Sequence, residues 1–380
     1  MKPLGSLKYF WENKRKALLV IGIFILTAVS ISFTASLVTS AFVSAEKVSI
    51  HPFDTASIAA AADGSFFLKE ETVQKIEGLP NVGKTLSVDV ETTSYTSLMG
   101  NAAAFILMAG ERAEDVARFY DLKIKAGRMP AAGEYELALH EDVLRNKKLA
   151  VGDEIGDAID EGEWLMGRYR IVGSLAGDTV LGVGSKSYRA SAMEQAGIDL
   201  SGHAAALLLL PSGAVSDLNA DLSALSKSEA KLYTKITARR DFDEQLASIQ
   251  TLIGLVLAVF IFAMAIAVGA IIMVAYGDRR AEFGILFAIG YSKRDVRNMI
   301  CKEIGVLSLV SAAAGYGFAM LLLFLLDALV FAPIGKPLAF FSVYGLGLTL
   351  IVPVMVFVCA VFPILRRFKK TDLVSVIEGQ

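Results

Sequence analysis

Four long apolar runs decide what this chain can fold into. Ala17 to Val43, Ile249 to Tyr276, Ile304 to Ala332 and Phe340 to Leu365 carry no Asp, Glu, Lys or Arg apart from Asp327. Each exceeds the roughly 20 residues a helix needs to cross a bilayer core. The chain is 54% hydrophobic over 380 residues, and these runs hold the excess. The first has a basic front, and Val43-Ser44-Ala45 resembles a small-residue cleavage site. A secretory signal's apolar core is only about 7–15 residues, so this run reads as a retained helix. The expectation is four transmembrane helices.

Lys and Arg set the orientation. They cluster before the first run (Lys2, Lys8, Lys14, Arg15, Lys16), between the second and third (Arg279, Arg280, Lys293, Arg294, Arg297, Lys302) and after the fourth (Arg366, Arg367, Lys369, Lys370). Four crossings put all three clusters on the cytoplasmic side, with both termini. Residues 46–248 hold 31 acidic and 21 basic side chains, against 8 and 16 elsewhere. A net of −10 outside and +8 inside hides behind an overall charge of −2. The expected organisation is a cytoplasmic N-terminus (1–16), transmembrane helix 1 (17–45), an extracytoplasmic α/β domain (46–240) and a stalk helix (241–249). Transmembrane helix 2 (250–276), a cytoplasmic elbow (277–302), transmembrane helix 3 (303–331), an external loop (332–341), transmembrane helix 4 (342–365) and a cytoplasmic tail (366–380) complete it.

Within the external segment, helix-like and strand-like stretches alternate. Helices are expected at 69–78, 141–149 and 218–225, and strands at 85–95, 103–109, 135–139, 164–175, 204–210 and 232–237. This is a mixed α/β domain of βαβ-like pieces. From Asp241 an unbroken helical pattern, with Phe242, Leu246 and Ile249 on one face, runs into the second apolar run.

The segment Tyr276 to Glu303 is too long and too patterned for a plain connection. Phe283, Leu286 and Phe287, with Ile289 and Gly290 behind, follow helical spacing. Gly290 suits a helix end. Ser292 can cap a new helix, with Asp295 three residues on. The pattern predicts a helical elbow along the inner membrane face, apolar side inward and basic side to the cytosol. An interfacial linker touching only lipid headgroups satisfies the same pattern.

The stretch "DRRAEFGILFAIGYSKRDV" resembles the signature of FtsX-like and MacB-type ABC transporter permeases, E-x-G-I-L-[RK]-A-[LI]-G followed by a polar turn and [RK]-[RK]-D-[IV]. Phe287 stands where that signature has a basic residue, and Tyr291 where it often has a small one. "IKAGRMPAAGEYELALHEDV", "KLAVGDEI" and "YRIVGSL" resemble the family's external core. "KKTDLVSVIEG" resembles its ending, with Leu373 for Pro. The resemblance implies an α-helical membrane protein with four transmembrane helices and a large mixed α/β extracytoplasmic domain, a MacB-like periplasmic core, inserted between helices 1 and 2. It implies a permease subunit in the cell membrane, without catalytic residues or cofactors of its own. A partner ABC ATPase binds ATP and Mg²⁺ and docks on Glu282, Phe283, Gly284, Ile285, Leu286, Ala288, Ile289, Gly290, Tyr291, Ser292, Lys293, Arg294 and Asp295. A second permease chain, identical or related, completes the dimer. Membrane lipids, an adaptor and an extracytoplasmic client are further partners; nucleic acid is not. On this reading, Asp at Leu286 and Ile289 abolishes ATPase association. Motion of the external domain serves export, extraction or removal of a peptide, lipoprotein or amphipathic compound. The alternative is a non-transporting transmitter that regulates a cell-wall hydrolase or senses a ligand. The acidic external domain favours a cationic client.

"GLPNVGKT", Gly78 to Thr85, fits the phosphate-loop pattern G-x-x-x-x-G-K-[ST]. That loop needs a strand before it and a helix after it. Here the order is inverted, Pro80 removes an amide donor, and the topology puts Lys84 outside the cell. It reads as a helix-to-strand turn. His51, His140 and His203 lack ligand spacing, and Cys301 and Cys359 read as packing residues. "DEIGDAIDEGE", Asp153 to Glu163, reads as a solvated turn. Asp327 is a functional candidate as an intramembrane acid, or an interfacial residue near its helix end. Gly305, Gly315 and Gly317 allow close helix approach, within the chain or across a dimer.

Overall fold

The apolar runs become the longest elements of the fold. The computed structural model describes residues 14–62, 65–198, 204–225, 228–277 and 279–338, with isolated positions between 347 and 361. The basic N-terminus up to residue 13, His203, Cys359, the tail 366–380 and most of the fourth expected transmembrane helix lie outside the described residues.

In chain order, helix α1 (Lys14–Ser49) precedes strand β1 (Ser57–Ala61), helix α2 (Glu70–Glu77), strands β2 (Val82–Ser97) and β3 (Gly100–Met108) and helix α3 (Ala113–Phe119). Next come β4 (Lys123–Gly127), β5 (Glu136–His140), α4 (Glu141–Lys147), β6 (Glu154–Ile155), β7 (Tyr169–Ala176) and β8 (Gly182–Gly184). Then follow α5 (Tyr188–Gln195), β9 (Ala206–Pro211), α6 (Val215–Leu222), β10 (Ala230–Tyr233), α7 (Lys235–Gly277), α8 (Arg280–Ala288) and α9 (Lys293–Leu326). Among the described residues α1, α7 and α9 are long and apolar enough to cross a membrane. The chain divides into two compact units, residues 41–247 with 327–338, and the remainder.

Among the described residues the first of these units is built on ten strands, in the order β10-β1-β9-β2-β3-β8-β5-β7-β4 with β6 beside β7. The run Leu207 to Leu210 lacks polar alternation because β9 is covered on both faces. Leu207 and Leu209 pack with Ile76 of α2 and with Leu218 and Leu222 of α6. Leu208 packs with Ile58, Leu86 and Leu107 on the opposite side. The expected mixed α/β character is present, but most pairings are antiparallel. The βαβ reading holds for β5–α4–β7, whose strands are parallel, and β3 pairs β8 in parallel.

The phosphate-loop lookalike is a turn from helix to strand. Gly78 caps α2 and β2 has begun by Val82. A bulge separates Val82 from Lys84. At Gly83 a Cβ would lie 3.0 Å from the Pro211 carbonyl oxygen and the Ser212 backbone, a tight fit that favours glycine there. The acidic stretch 153–163 is solvated only in part. Glu163 is buried, and accepts from Thr93 Oγ1 at 2.8 Å, from the Ser94 amide at 3.0 Å and from Lys147. His140 is a buried cap, accepting from the Asp142 amide at 3.2 Å.

The stalk starts earlier than expected. The predicted strand 232–237 ends at Tyr233, because Thr234 and Thr237 cap a helix, each hydroxyl accepting from the other's amide at 2.8 and 3.2 Å. Phe242 of α7 packs with Ala45 of α1 and Ile50, and Arg239 pairs with Glu46 at 2.7 Å. Asp327 does not reach outward to an interface. It is buried and accepts from the Leu338 amide at 2.7 Å, closing the turn Asp327–Leu338. That turn lies on the α/β domain: Tyr95 Oη donates to the Gly335 carbonyl, and Arg145 Nη1 to that of Ala332 at 3.2 Å.

The second unit packs Ile31 of α1 with Ala265, Val268 and Ile272 of α7 and with Ile300 and Ile304 of α9. Gly315 faces inward within the chain: a Cβ there would strike Ala28 and lie 2.9 Å from the Val29 nitrogen. Gly317 faces open space, and Gly305 has Phe357 at 3.6 Å.

Candidate functional site

The elbow between α7 and α9 is fixed by local chemistry at both ends of α8. Its C-terminal cap is a Schellman turn. Gly290 takes φ +104° and donates to the Phe287 carbonyl at 3.0 Å, while Tyr291 donates to that of Leu286 at 3.1 Å. Leu286 and Tyr291, the residues this turn brings together, both pack on the helix core. Two residues on, Ser292 and Asp295 form the expected reciprocal cap. The Asp295 amide donates to Ser292 Oγ at 3.2 Å, and Asp295 Oδ2 accepts from the Ser292 hydroxyl at 2.6 Å and amide at 3.2 Å. Helix α9 then opens with Lys293, Arg294 and Asp295 exposed and Val296 buried.

At the N-terminal end stands a residue that the signature did not single out. Arg279 is buried beneath the elbow. Its Nη1 reaches both oxygens of Glu303 on α9, at 3.0 and 3.1 Å, and its Nε reaches Glu282 at 3.1 Å. Its guanidinium lies over the rings of Tyr276 and Phe283, 5.3 and 5.4 Å from their centroids. Those rings are parallel within 10°. A charged group removed from water is stable only when so paired. The pair therefore ties the start of α8 to α9 at one angle. A buried Arg and a buried Glu 24 positions apart, each beside an apolar run, were the available sequence signal.

The remaining elbow residues separate by face. Phe283 is buried, and Gly284, Leu286, Phe287 and Tyr291 are half-buried. Glu282, Ala288, Gly290 and Ser292 are exposed. Ile285 and Ile289, four residues apart on one face, are 60% and 70% exposed. The exposed face of α8 thus carries two isoleucines. Leu286, one of the expected contact residues, also packs on the helix core.

Residues 254–371 match the family model of the FtsX-like permease C-terminal domain. That span takes in most of α7, the elbow and α9. Solved structures similar to the chain include the periplasmic region of MacB from Actinobacillus actinomycetemcomitans, at 10% identity over 50% of this chain and 92% of that one, with a TM-score of 0.28. Another is the extracellular domain of the noncanonic ABC-type transporter YknZ from Gram-positive bacteria, at 10% identity over 44% and 87%, with a TM-score of 0.26. No curated protein matches the chain.

Proposed function

We propose that this chain, whose residues 254–371 match the FtsX-like permease C-terminal model, is the permease subunit of an ABC-type transporter driven by an ATPase on a separate chain. The observation that carries the reading is the outward pair Ile285 and Ile289, on a short helix pinned at one end by Arg279 and Glu303 and capped at the other. Exposed apolar side chains on a short capped helix suit a partner's groove. Nucleotide and Mg²⁺ belong to the partner. This chain contributes a coupling element and no catalytic group.

The direction of coupling follows from the helices. Closure of the ATPases would displace α8, and α7, helical from Lys235 to Gly277, is the element that carries the displacement onward. Pairing with a second permease chain lets two such displacements oppose each other. The α/β domain, on the outside by the distribution of basic residues, then changes shape to export, extract or remove its client. Bonding of the 327–338 turn to that domain supports one side of the membrane for both.

The test is association. In the full chain co-expressed with its ATPase, Ile285→Asp with Ile289→Asp should reduce co-purification at least tenfold. Membrane insertion and thermal stability should not change, since both side chains are exposed. Undiminished association of the double variant removes the elbow as the docking element.

A further inference from the structure

Strand β2 changes partners halfway along. Val82 to Val88 pair with β9, and Asp89 to Ser97 pair with β3. The buried face changes parity at the switch, from Leu86 and Val88 to Glu91, Thr93 and Tyr95. Where β9 and β3 part, Ala206 lies opposite Val88 and Met108 opposite Asp89. A cavity of about 710 Å³ opens there, entirely within the α/β domain.

Its polar groups are not all satisfied. Asp89 and Glu91, two positions apart and so on one face of the strand, both line it. Glu91 accepts from the Ser187 hydroxyl at 2.9 Å and pairs with Arg189 at 3.4 Å. The Asp89 carboxylate, among the described residues, makes no hydrogen bond or ion pair, and burial pushes it above the usual range against the pull of Arg189. Ser185, also in the lining, is 7% exposed, and its hydroxyl has no hydrogen-bond partner. Lys231 stands over the Tyr233 ring, 5.5 Å from its centroid. A desolvated carboxylate and a buried hydroxyl without partners are costly. Phe105 and Tyr233, edge to face at 6.1 Å, give the same cavity an apolar wall.

We propose that this cavity binds a primary ammonium group carried on an apolar stem, as in a peptide lysine, with Asp89 as counter-ion and Ser185 as hydrogen-bond partner. An ammonium has three donors and no acceptor, which suits a carboxylate and a hydroxyl that lack partners. The stem lies along Phe105 and Tyr233, where a cation also gains from the rings. The inference rests on reading the α/β domain as the part that meets the client. Its test needs no ATPase, so it can fail while the coupling reading stands.

The full chain in lipid nanodiscs is titrated calorimetrically with acetyl-Leu-Lys-Leu-amide and with its norleucine counterpart, which lacks the ammonium. The lysine peptide should bind at least tenfold more tightly. Asp89→Asn should abolish that preference and Ser185→Ala reduce it about threefold. Asp217→Asn, on an exposed carboxylate of α6, should leave it unchanged. Three results would each overturn the site: no saturable binding of the lysine peptide, equal binding of both peptides, or equal loss in Asp217→Asn. The last would mean that the domain's overall negative charge, not this cavity, attracts the peptide.

Discussion

Removing one partner of the Arg279–Glu303 pair should cost far more than removing both. Their side chains are 8% and 1% exposed. Glu303→Leu leaves a buried guanidinium that has lost two hydrogen bonds and its buried counter-charge. Arg279→Met leaves a carboxylate in the same position. Stranding one member of a buried pair costs about 3–5 kcal/mol, whereas replacing both with apolar groups of similar volume is often neutral. Glu282 rescues little, being half in water, where a pair is worth at most about 1 kcal/mol. Each single variant should therefore lose at least about 3 kcal/mol, more than a hundredfold in the folding equilibrium at 1.36 kcal/mol per tenfold. The double variant should recover to within about 1 kcal/mol. Equilibrium unfolding of the chain in detergent micelles, run as a double-mutant cycle, measures this. The double variant should still bind the ATPase less well, because packing alone does not aim α8. Single variants that cost under about 1 kcal/mol, or a double variant as unstable as the sum, would refute the reasoning.

Gly315→Ala should lose about 1–3 kcal/mol through the clash with Ala28, while Gly317→Ala, facing open space, should change thermal stability little. For Glu163, burial pushes the carboxyl up, but the bonds from Lys147, Ser94 and Thr93 outweigh it and hold the group below its ordinary value. Its stabilisation is complete above the unfolded carboxylate value of about 4.3 and is lost as pH falls through the lower folded one. Glu163→Gln should flatten the acid limb of an unfolding titration and cost about 2 kcal/mol at neutral pH. Lys84→Met should alter neither nucleotide binding by the chain nor the ATPase rate of the assembled complex, since Lys84 sits exposed on a strand.

Local grammar was legible wherever one residue type has few uses. Gly290 at a helix end, Ser292 with Asp295 as a cap, and the apolar pattern of Leu207 to Leu210 all read correctly from the chain. Short elements without such grammar did not. Strand β1 is Ser-Ile-Ala-Ala-Ala and β8 is Gly-Val-Gly, and neither has a side-chain pattern to distinguish it from a loop. At the elbow the spacing showed which residues are helical but not which face is free. Leu286 and Ile285 are adjacent and alike, and only the position of α9 decides which is covered. The Arg279–Glu303 pair, the parity change in β2 and the burial of Glu163 depend on segments distant in sequence, so no local reading could give them.

The turn at 327–338 has a consequence for how the protein is made. Tyr95 and its acceptor Gly335 are 240 residues apart, and Arg145 and Ala332 are 187 apart. At about 5–20 residues per second, the ribosome delivers the donor tens of seconds before the acceptor. Through that interval the Tyr95 hydroxyl lacks its acceptor and Arg145 lacks one of its own. On the topology proposed above, the face closes once the third long helix has entered the membrane the right way round and returned the chain to the domain. A helix inserted backwards would leave the patch uncovered, where proteases that survey the membrane can find it. A contact that adds little to the area of the domain thus reports on whether insertion succeeded.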